Sequence, residues 1–349
     1  MIEPHKIKRI YSSLQDDVSR EIFVNRLLYS LTADFEITRN QNKPVNRIMQ
    51  RVMREVTPIV IYGAGKLGEH FLKSFPNIKV FGVCDSDPAK IGTNFHEHII
   101  TAPNELYEKF NFCKVVVTVL DTEIVGRIIL ELKSMGFADN KVIMYNNIEH
   151  DSFFINDCYF PLDIEIPFLE KEVFIDGGSY DFQNSISFIN MRGKTTDKII
   201  FIEPQPDQYK ICEQKAKKYS NVIGYNCGLW NESKMLNLRV PFVNAMSASF
   251  VRNRTATSFS VAAMKLDDLL NGEVATFIKL DVEGAELNAL IGAERTIKKH
   301  KPKLAVCIYH KPSDVWEIPD YILSLHEDYR LYLRHHHICD YDDTVLYAF

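Results

Sequence analysis

Between Phe277 and Leu290 the chain reads Phe-Ile-Lys-Leu-Asp-Val-Glu-Gly-Ala-Glu-Leu-Asn-Ala-Leu, which places charge where a buried strand should carry none. Ala275 to Leu280 is an apolar, β-branched run interrupted by Lys279, and from Ala285 the spacing turns helical. Side chains alternate along a strand, so Lys279, Asp281 and Glu283 project to one side if the extended conformation persists. Three ionisable groups on one face are costly unless they are paired or solvated in a cleft. In an open α/β sheet that cleft lies beyond the carboxyl ends of the strands. A salt-bridged strand terminus is the plain alternative; the expectation is a functional cleft.

Two other constellations invite chemistry. Pro58-Ile-Val-Ile-Tyr-Gly-Ala-Gly-Lys-Leu-Gly is a strand running into a Gly-x-Gly-x-x-Gly turn at Gly63, Gly65 and Gly68, with a second strand ending at Asp85. In that order the glycines would admit a pyrophosphate at a helix N-terminus and Asp85 would meet a ribose. A glycine turn that binds nothing is the competing reading. His335-His336-His337 suggests a metal. Only His335 and His337 would share a face, and with His310 and Asp281 they would form a divalent-metal site if the strand ends converge. Solvated or core-edge histidines are the plainer outcome.

The elements that must position these groups fall into three segments. Residues 1–56 form a helical leader, periodic from Leu14 to about Glu55 with a break at Asn40 to Pro44. Such a leader packs on its own chain or on a second copy, as a homodimer. Residues 57–150 form a small βα unit, with further strands at Lys79–Cys84, Lys114–Val119 and Lys141–Tyr145. At about ninety residues it is short for a dehydrogenase cofactor domain, which needs two mononucleotide halves. Residues 151–349 read as a second doubly wound sheet. Its strands fall at Val173–Asp176, Lys198–Glu203, Asn221–Asn226, Thr276–Asp281, Lys303–His310, Tyr329–His335 and Thr344–Ala348, the last one antiparallel.

Phe174-Ile-Asp-Gly-Gly-Ser-Tyr-Asp, Ile200-Phe-Ile-Glu-Pro-Gln-Pro, Lys265-Leu-Asp-Asp-Leu-Leu, the block from Phe277 and Leu290-Ile-Gly-Ala-Glu-Arg-Thr-Ile occur in one order. Together they resemble the FkbM family of S-adenosylmethionine-dependent methyltransferases, over about Val173 to Phe349. The resemblance implies an α/β fold: a Rossmann-like class I methyltransferase sheet of seven strands, preceded here by the small Rossmann-like module and the leader. It also implies methyl transfer, with a hydroxyl of a sugar, glycan precursor or other small molecule as acceptor. The front module is similar to the nucleotide- or nucleotide-sugar-binding modules of bacterial glycan-modifying enzymes.

The roles that follow from this resemblance are specific. Gly177 and Gly178, with Ser179 and Tyr180, would approach the methionine portion of the cofactor, and Asp176 would order that loop or reach the amino group. Glu203, held extended before Pro204, would accept hydrogen bonds from both ribose hydroxyls, and Asn226 to Gly228 would lie near the adenine. Asp281 is the first choice for general base or acceptor-positioning group, beside Glu283, with Lys279 holding it ionised. His310 is the second candidate base, because an ordinary imidazole titrates near working pH. One departure stands out: where the family continues Asp-Gly-x-Thr, this chain has Asp181-Phe182-Gln183-Asn184. Phe182 would crowd the cofactor or rearrange the loop.

Composition bounds the alternatives. A net charge of -5 gives no electrostatic reason to expect nucleic acid. Seven scattered cysteines without a Cys-x-x-Cys fit reduced thiols rather than a disulfide framework or zinc site. No apolar run approaches the roughly 20 residues of a membrane span, and the start shows no signal core, so the expected compartment is the cytoplasm. Two competing functions remain: a nicotinamide-dependent oxidoreductase using Gly63 to Asp85, and a catalytically impaired scaffold or sensor in which Phe182 closes the cofactor site.

Overall fold

The computed structural model describes residues 3–33, 58–75, 78–119, 122–138, 141–145, 158–161, 163–193, 196–241, 256–336 and 344–349. These fall into two compact units. The first holds 58–145, and the second holds the N-terminal helices together with the described residues from 158 onward.

The N-terminal segment forms α1 (Pro4–Ser13) and α2 (Asp17–Thr32). Proline at the first turn of α1 costs no hydrogen bond there. The helix expected to run on from Leu14 is instead interrupted at Leu14, which bridges to Leu331, and restarts where Asp16 accepts the Ser19 N–H at 2.7 Å. Ile10, Leu14, Ile22 and Phe23 are buried in the same core as Leu331, Leu333 and Ile308. The described part of the leader therefore belongs to the second unit. The resumed helix expected over Val45 to Val56 lies outside the described residues.

The unit of 58–145 is built on β1 (Ile59–Tyr62), buried on both faces as its unbroken apolar run requires. Then follow α3 (Lys66–Ser74), β2 (Val80–Cys84), β3 (Asn94–Phe95), β4 (His98–Thr101), α4 (Pro103–Phe110), β5 (Lys114–Val117), α5 (Thr122–Met135) and β6 (Val142–Met144). The sheet order is β3-β4-β2-β1-β5-β6, parallel except for the β3–β4 pair. The chain reverses direction across the sheet between β1 and β5, beside the glycine turn. No helix or strand is assigned from the sequence to the stretch that holds β3, β4 and α4.

The second unit continues with β7 (Glu172–Gly177), α6 (Gln183–Arg192), β8 (Thr196–Ile202), α7 (Pro206–Ala216), β9 (Val222–Tyr225), β10 (Gly228–Leu229), β11 (Lys234–Pro241), β12 (Ala256–Met264) and α8 (Leu266–Leu270). It closes with β13 (Phe277–Leu280), α9 (Glu286–Gly292), α10 (Glu294–His300), β14 (Lys303–Cys307), α11 (Asp314–Leu325), β15 (Leu331–His335) and β16 (Thr344–Ala348). Seven of these strands form one sheet in the order β15-β16-β14-β13-β7-β8-β9. All seven coincide with runs legible in the sequence. The antiparallel strand is β16, which inserts between β14 and β15 rather than finishing the edge. Two apolar clusters cover the sheet, one on each face, and leave the strand ends open. Strand order switches between β7 and β13, where an α/β sheet opens a crevice. β10, β12 and β11 form a separate three-stranded sheet in the order β10-β12-β11.

Candidate active site

The crevice at the carboxyl ends of β7, β8 and β13 is an open cleft, lined among others by Gly178, Tyr180, Glu203, Pro204, Asp281 and Glu283. The block from Phe277 supplies its floor. Lys279 does not reach it: its ammonium is fully buried, 3.1 Å from Asp176 Oδ1, and donates to the Gly178 carbonyl at 2.6 Å. Burial works to lower the Lys279 ammonium, but Asp176 and Asp281 outweigh it and hold it above its ordinary value. Asp176 is equally sealed, its Oδ2 accepting the hydroxyls of Ser179 at 2.8 Å and Ser185 at 2.7 Å. Of the two roles expected for Asp176, the geometry leaves the ordering of the loop; no carboxylate oxygen faces the cleft. Lys279 likewise fastens the glycine loop, and the expectation that it shares one open face with Asp281 and Glu283 is corrected.

That loop needs glycine at one point above all. Gly178 has φ +75°, and a Cβ there would sit 1.8 Å from the Asp281 carbonyl oxygen. Gly178 and Tyr180 line the cleft, while Gly177 and Ser179 lie beneath it. Glu203 follows β8. Its two carboxylate oxygens each accept one backbone N–H, from Tyr180 and from Gln205, both at 2.8 Å. Each oxygen keeps further acceptor capacity, and Glu203 lines the pocket. Burial pushes the Glu203 carboxyl up to about 7, against the pull of those N–H groups and Lys279. Pro204 also lines the cleft. Asn226 does not: it is exposed and its amide staples the Glu203 carbonyl at 2.8 Å, leaving Cys227, Gly228 and Leu229 as the wall there.

Across the cleft from Glu203 stand Asp281, Val282, Glu283 and Tyr309. Asp281 accepts the Tyr159 hydroxyl at 2.8 Å and, more weakly, the Tyr309 hydroxyl at 3.4 Å. Burial favours the neutral acid, yet Lys279, His310 and the Tyr159 hydroxyl hold the Asp281 carboxyl below its ordinary value. Glu283 adopts a left-handed φ of +53°, and Gly284 follows at +90°. Two anchors fix this turn: Glu286 Oε1 accepts the Val282 and Gly284 N–H groups, and Lys311 donates to the Gly284 carbonyl. His310 lies 3.0 Å from Glu286, 3.5 Å from Glu283 and 3.7 Å from Asp281. Burial favours the neutral ring, but these three carboxylates raise it to about 10. These surroundings favour the charged ring over the free base expected of His310.

Phe182 is also resolved. Its ring is fully buried and packs edge-on against Phe201 with centroids 5.3 Å apart, on the far side of the loop from the lining residues. It does not line the cleft, and it takes φ +68°, a left-handed conformation that a glycine would adopt without strain. His335 hydrogen-bonds Thr344 at 2.9 Å, and among the described residues the carboxylate–imidazole group with converging ligand atoms is Asp281, Glu283 and His310, without His335. His337 lies outside the described residues. Sequence reading passed over Tyr159, Gln205, Leu238 and Tyr309. Tyr309, at the carboxyl end of β14, had the signal; Tyr159 had none.

Residues 176–342 match the family model described as the methyltransferase FkbM domain. This region is an FkbM-family methyltransferase domain. It implies methyl transfer from S-adenosylmethionine. The fold is similar to the crystal structure of methyltransferase FkbM from Methylobacillus flagellatus KT: TM-score 0.52 and 19% identity, over 95% of this chain and 99% of that one. A second structure, Aeropyrum pernix fibrillarin with natively bound S-adenosyl-L-methionine, aligns over 53% of this chain and 70% of its own at 12% identity and TM-score 0.32. No curated protein matches the sequence. Among the described residues, no helix is long and apolar enough to cross a membrane, and no cysteine is paired.

In the front module, the glycine turn makes close internal contacts. A Cβ at Gly68 would meet the Gly63 carbonyl at 2.3 Å, so the glycine lets α3 close onto the turn. Gly65 opens onto free space. Asp85 accepts the Ala64 N–H at 2.8 Å, the Asp87 N–H at 2.9 Å and the Lys90 ammonium at 3.0 Å. Both its oxygens accept hydrogen bonds from within the module.

Proposed function

We propose that the FkbM domain binds S-adenosylmethionine between the Gly178–Tyr180 loop and Glu203, and transfers its methyl group to a hydroxyl of a sugar, glycan precursor or other small molecule. The observation that carries this reading is the placement of Glu203 opposite Asp281. The first is a buried carboxylate held by two backbone N–H groups with lone pairs left for a vicinal diol; the second is a carboxylate kept ionised.

The charge of the cleft fits the donor. Glu203, Asp281 and Glu283 line it, and no lysine or arginine does among the described lining residues. A sulfonium carries a positive charge that its thioether product lacks, so an acidic wall favours donor over product. Catalysis then rests on alignment, because displacement at the methyl carbon requires the acceptor oxygen directly behind it. Asp281, ionised and oriented by Tyr159, accepts the acceptor hydroxyl and turns its lone pair toward the methyl group. Its depressed pKa suits it to orientation more than to strong general-base catalysis. The methyl group moves from sulfur to oxygen, the C–S electron pair stays on sulfur, and the hydroxyl proton leaves through Asp281 to water.

Incubation with methyl-labelled donor and a panel of hydroxyl-bearing sugars tests this. Label should appear in an ether, and Asp281→Asn should bind the donor yet lose at least about tenfold in turnover. Transfer to nitrogen or carbon acceptors alone would overturn the assignment.

A further inference from the structure

Asp281, Glu283 and His310 do more than line one side of the cleft. One atom from each, the carboxylate oxygens and His310 Nε2, all lie within 4.8 Å of one another. Nε2 stands 3.7 Å from Asp281 Oδ1 and 3.5 Å from Glu283 Oε2. These separations are too long for hydrogen bonds. They are close to the spacing of atoms that share an ion: ligands about 2.1 Å from a metal, at angles of about 110–120°, lie about 3.4–3.6 Å apart.

The imidazole gives an independent indication. It is 11% exposed, and neither ring nitrogen makes an aligned hydrogen bond. Its Nδ1 lies 3.0 Å from Oε1 of Glu286, a side chain with no exposure at all. A carboxylate behind Nδ1 that leaves Nε2 for a ligand is the usual outer support of a metal-binding histidine. The turn is built to the same end: Glu286 also holds the Val282 and Gly284 N–H groups, so one carboxylate fixes both the histidine and the strained backbone presenting Glu283.

We propose that Asp281, Glu283 and His310 bind a divalent cation at the edge of the cleft. Two carboxylate oxygens and one imidazole nitrogen suit several first-row divalent ions, of which Mn2+ serves as the probe. Three protein atoms on one side leave positions open toward the space that Asp281 and Glu283 line. Where the methyltransferase reading holds, those positions receive oxygens of the acceptor, which favours acceptors with two adjacent oxygen donors. The cation site itself does not depend on that reading.

Titration of the full-length, chelator-treated protein with Mn2+, followed by the loss of the free-ion paramagnetic resonance signal, tests the site without donor or acceptor. One ion per chain is expected. Glu283→Gln, at a partly exposed position that leaves the core intact, should weaken binding by more than about tenfold, and Glu286→Gln by about 10–100-fold through the histidine. Glu203→Ala should leave Mn2+ binding unchanged, so that failure of the donor site and failure of the cation site are distinguishable. Absence of Mn2+ binding to the folded wild-type protein, or binding that Glu283→Gln does not weaken, would overturn the proposal.

Discussion

At the scale of single residues, carboxylates carry the account and their surroundings set their behaviour. Burial raises Glu203 to about 7 from an ordinary 4.5. An acid raised in the folded state stabilises the fold below its unfolded value, and that contribution is lost as pH rises through about 7. The donor-free protein should therefore lose melting temperature across this window relative to Glu203→Gln, while donor affinity rises over the same window as the ribose acceptor becomes charged. Calorimetry in matched buffers measures both. Tyr159→Phe removes a hydroxyl that Asp281 accepts at 2.8 Å, a bond to a charged group worth about 1.5–3 kcal/mol. Turnover should fall by roughly tenfold or more with donor affinity nearly unchanged. Phe182→Gly is expected to relieve a left-handed backbone but to empty a fully buried ring site, for a net loss of about 3 kcal/mol. It should not gain cofactor affinity, and denaturant unfolding beside a donor titration separates the two effects.

At the scale of elements, the site is a product of where strands end. β7, β8 and β13 bring Gly178, Glu203 and Asp281 to one rim, and the glycine at 178 allows the first loop to touch the third strand's end. Gly178→Ala would place a Cβ 1.8 Å from a backbone oxygen and must displace the loop, so donor binding should be lost even where circular dichroism shows an intact fold. Apolar runs bounded by charge made the seven main strands legible in the sequence, because strands buried on both faces leave an unbroken signal. The β10-β12-β11 sheet went unread although Leu236 and Leu238 alternate with Asn237 and Arg239, a half-buried strand pattern. The roles of Lys279 and Asp176 were not legible either. Alternation gives the side of a strand, not what fills the space there, and the two groups neutralise each other across neighbouring strands at 3.1 Å. His310 belongs to a related case: its ordinary pKa is a property of the residue, whereas Glu286, Asp281 and Glu283 favour its charged form here.

At the scale of the molecule, the first helices are part of the methyltransferase unit. Arg334 pairs with Asp16 at 2.7 Å, Ser19 accepts and returns hydrogen bonds with Leu333, and Ile10, Leu14, Ile22 and Phe23 fill its core. Four such side chains contribute about 1.5–3 kcal/mol each, comparable to the whole stability of an ordinary domain. A fragment lacking residues 1–32 should therefore unfold or aggregate, as sedimentation and circular dichroism would show; a stable, monomeric fragment would contradict this packing. The central claim is that the cleft holds S-adenosylmethionine with Glu203 on its ribose. Calorimetric titration of the folded protein with the donor, beside Glu203→Ala, tests it most directly. The account predicts saturable binding with one donor per chain, abolished by the substitution. No binding, or binding indifferent to Glu203, would contradict it.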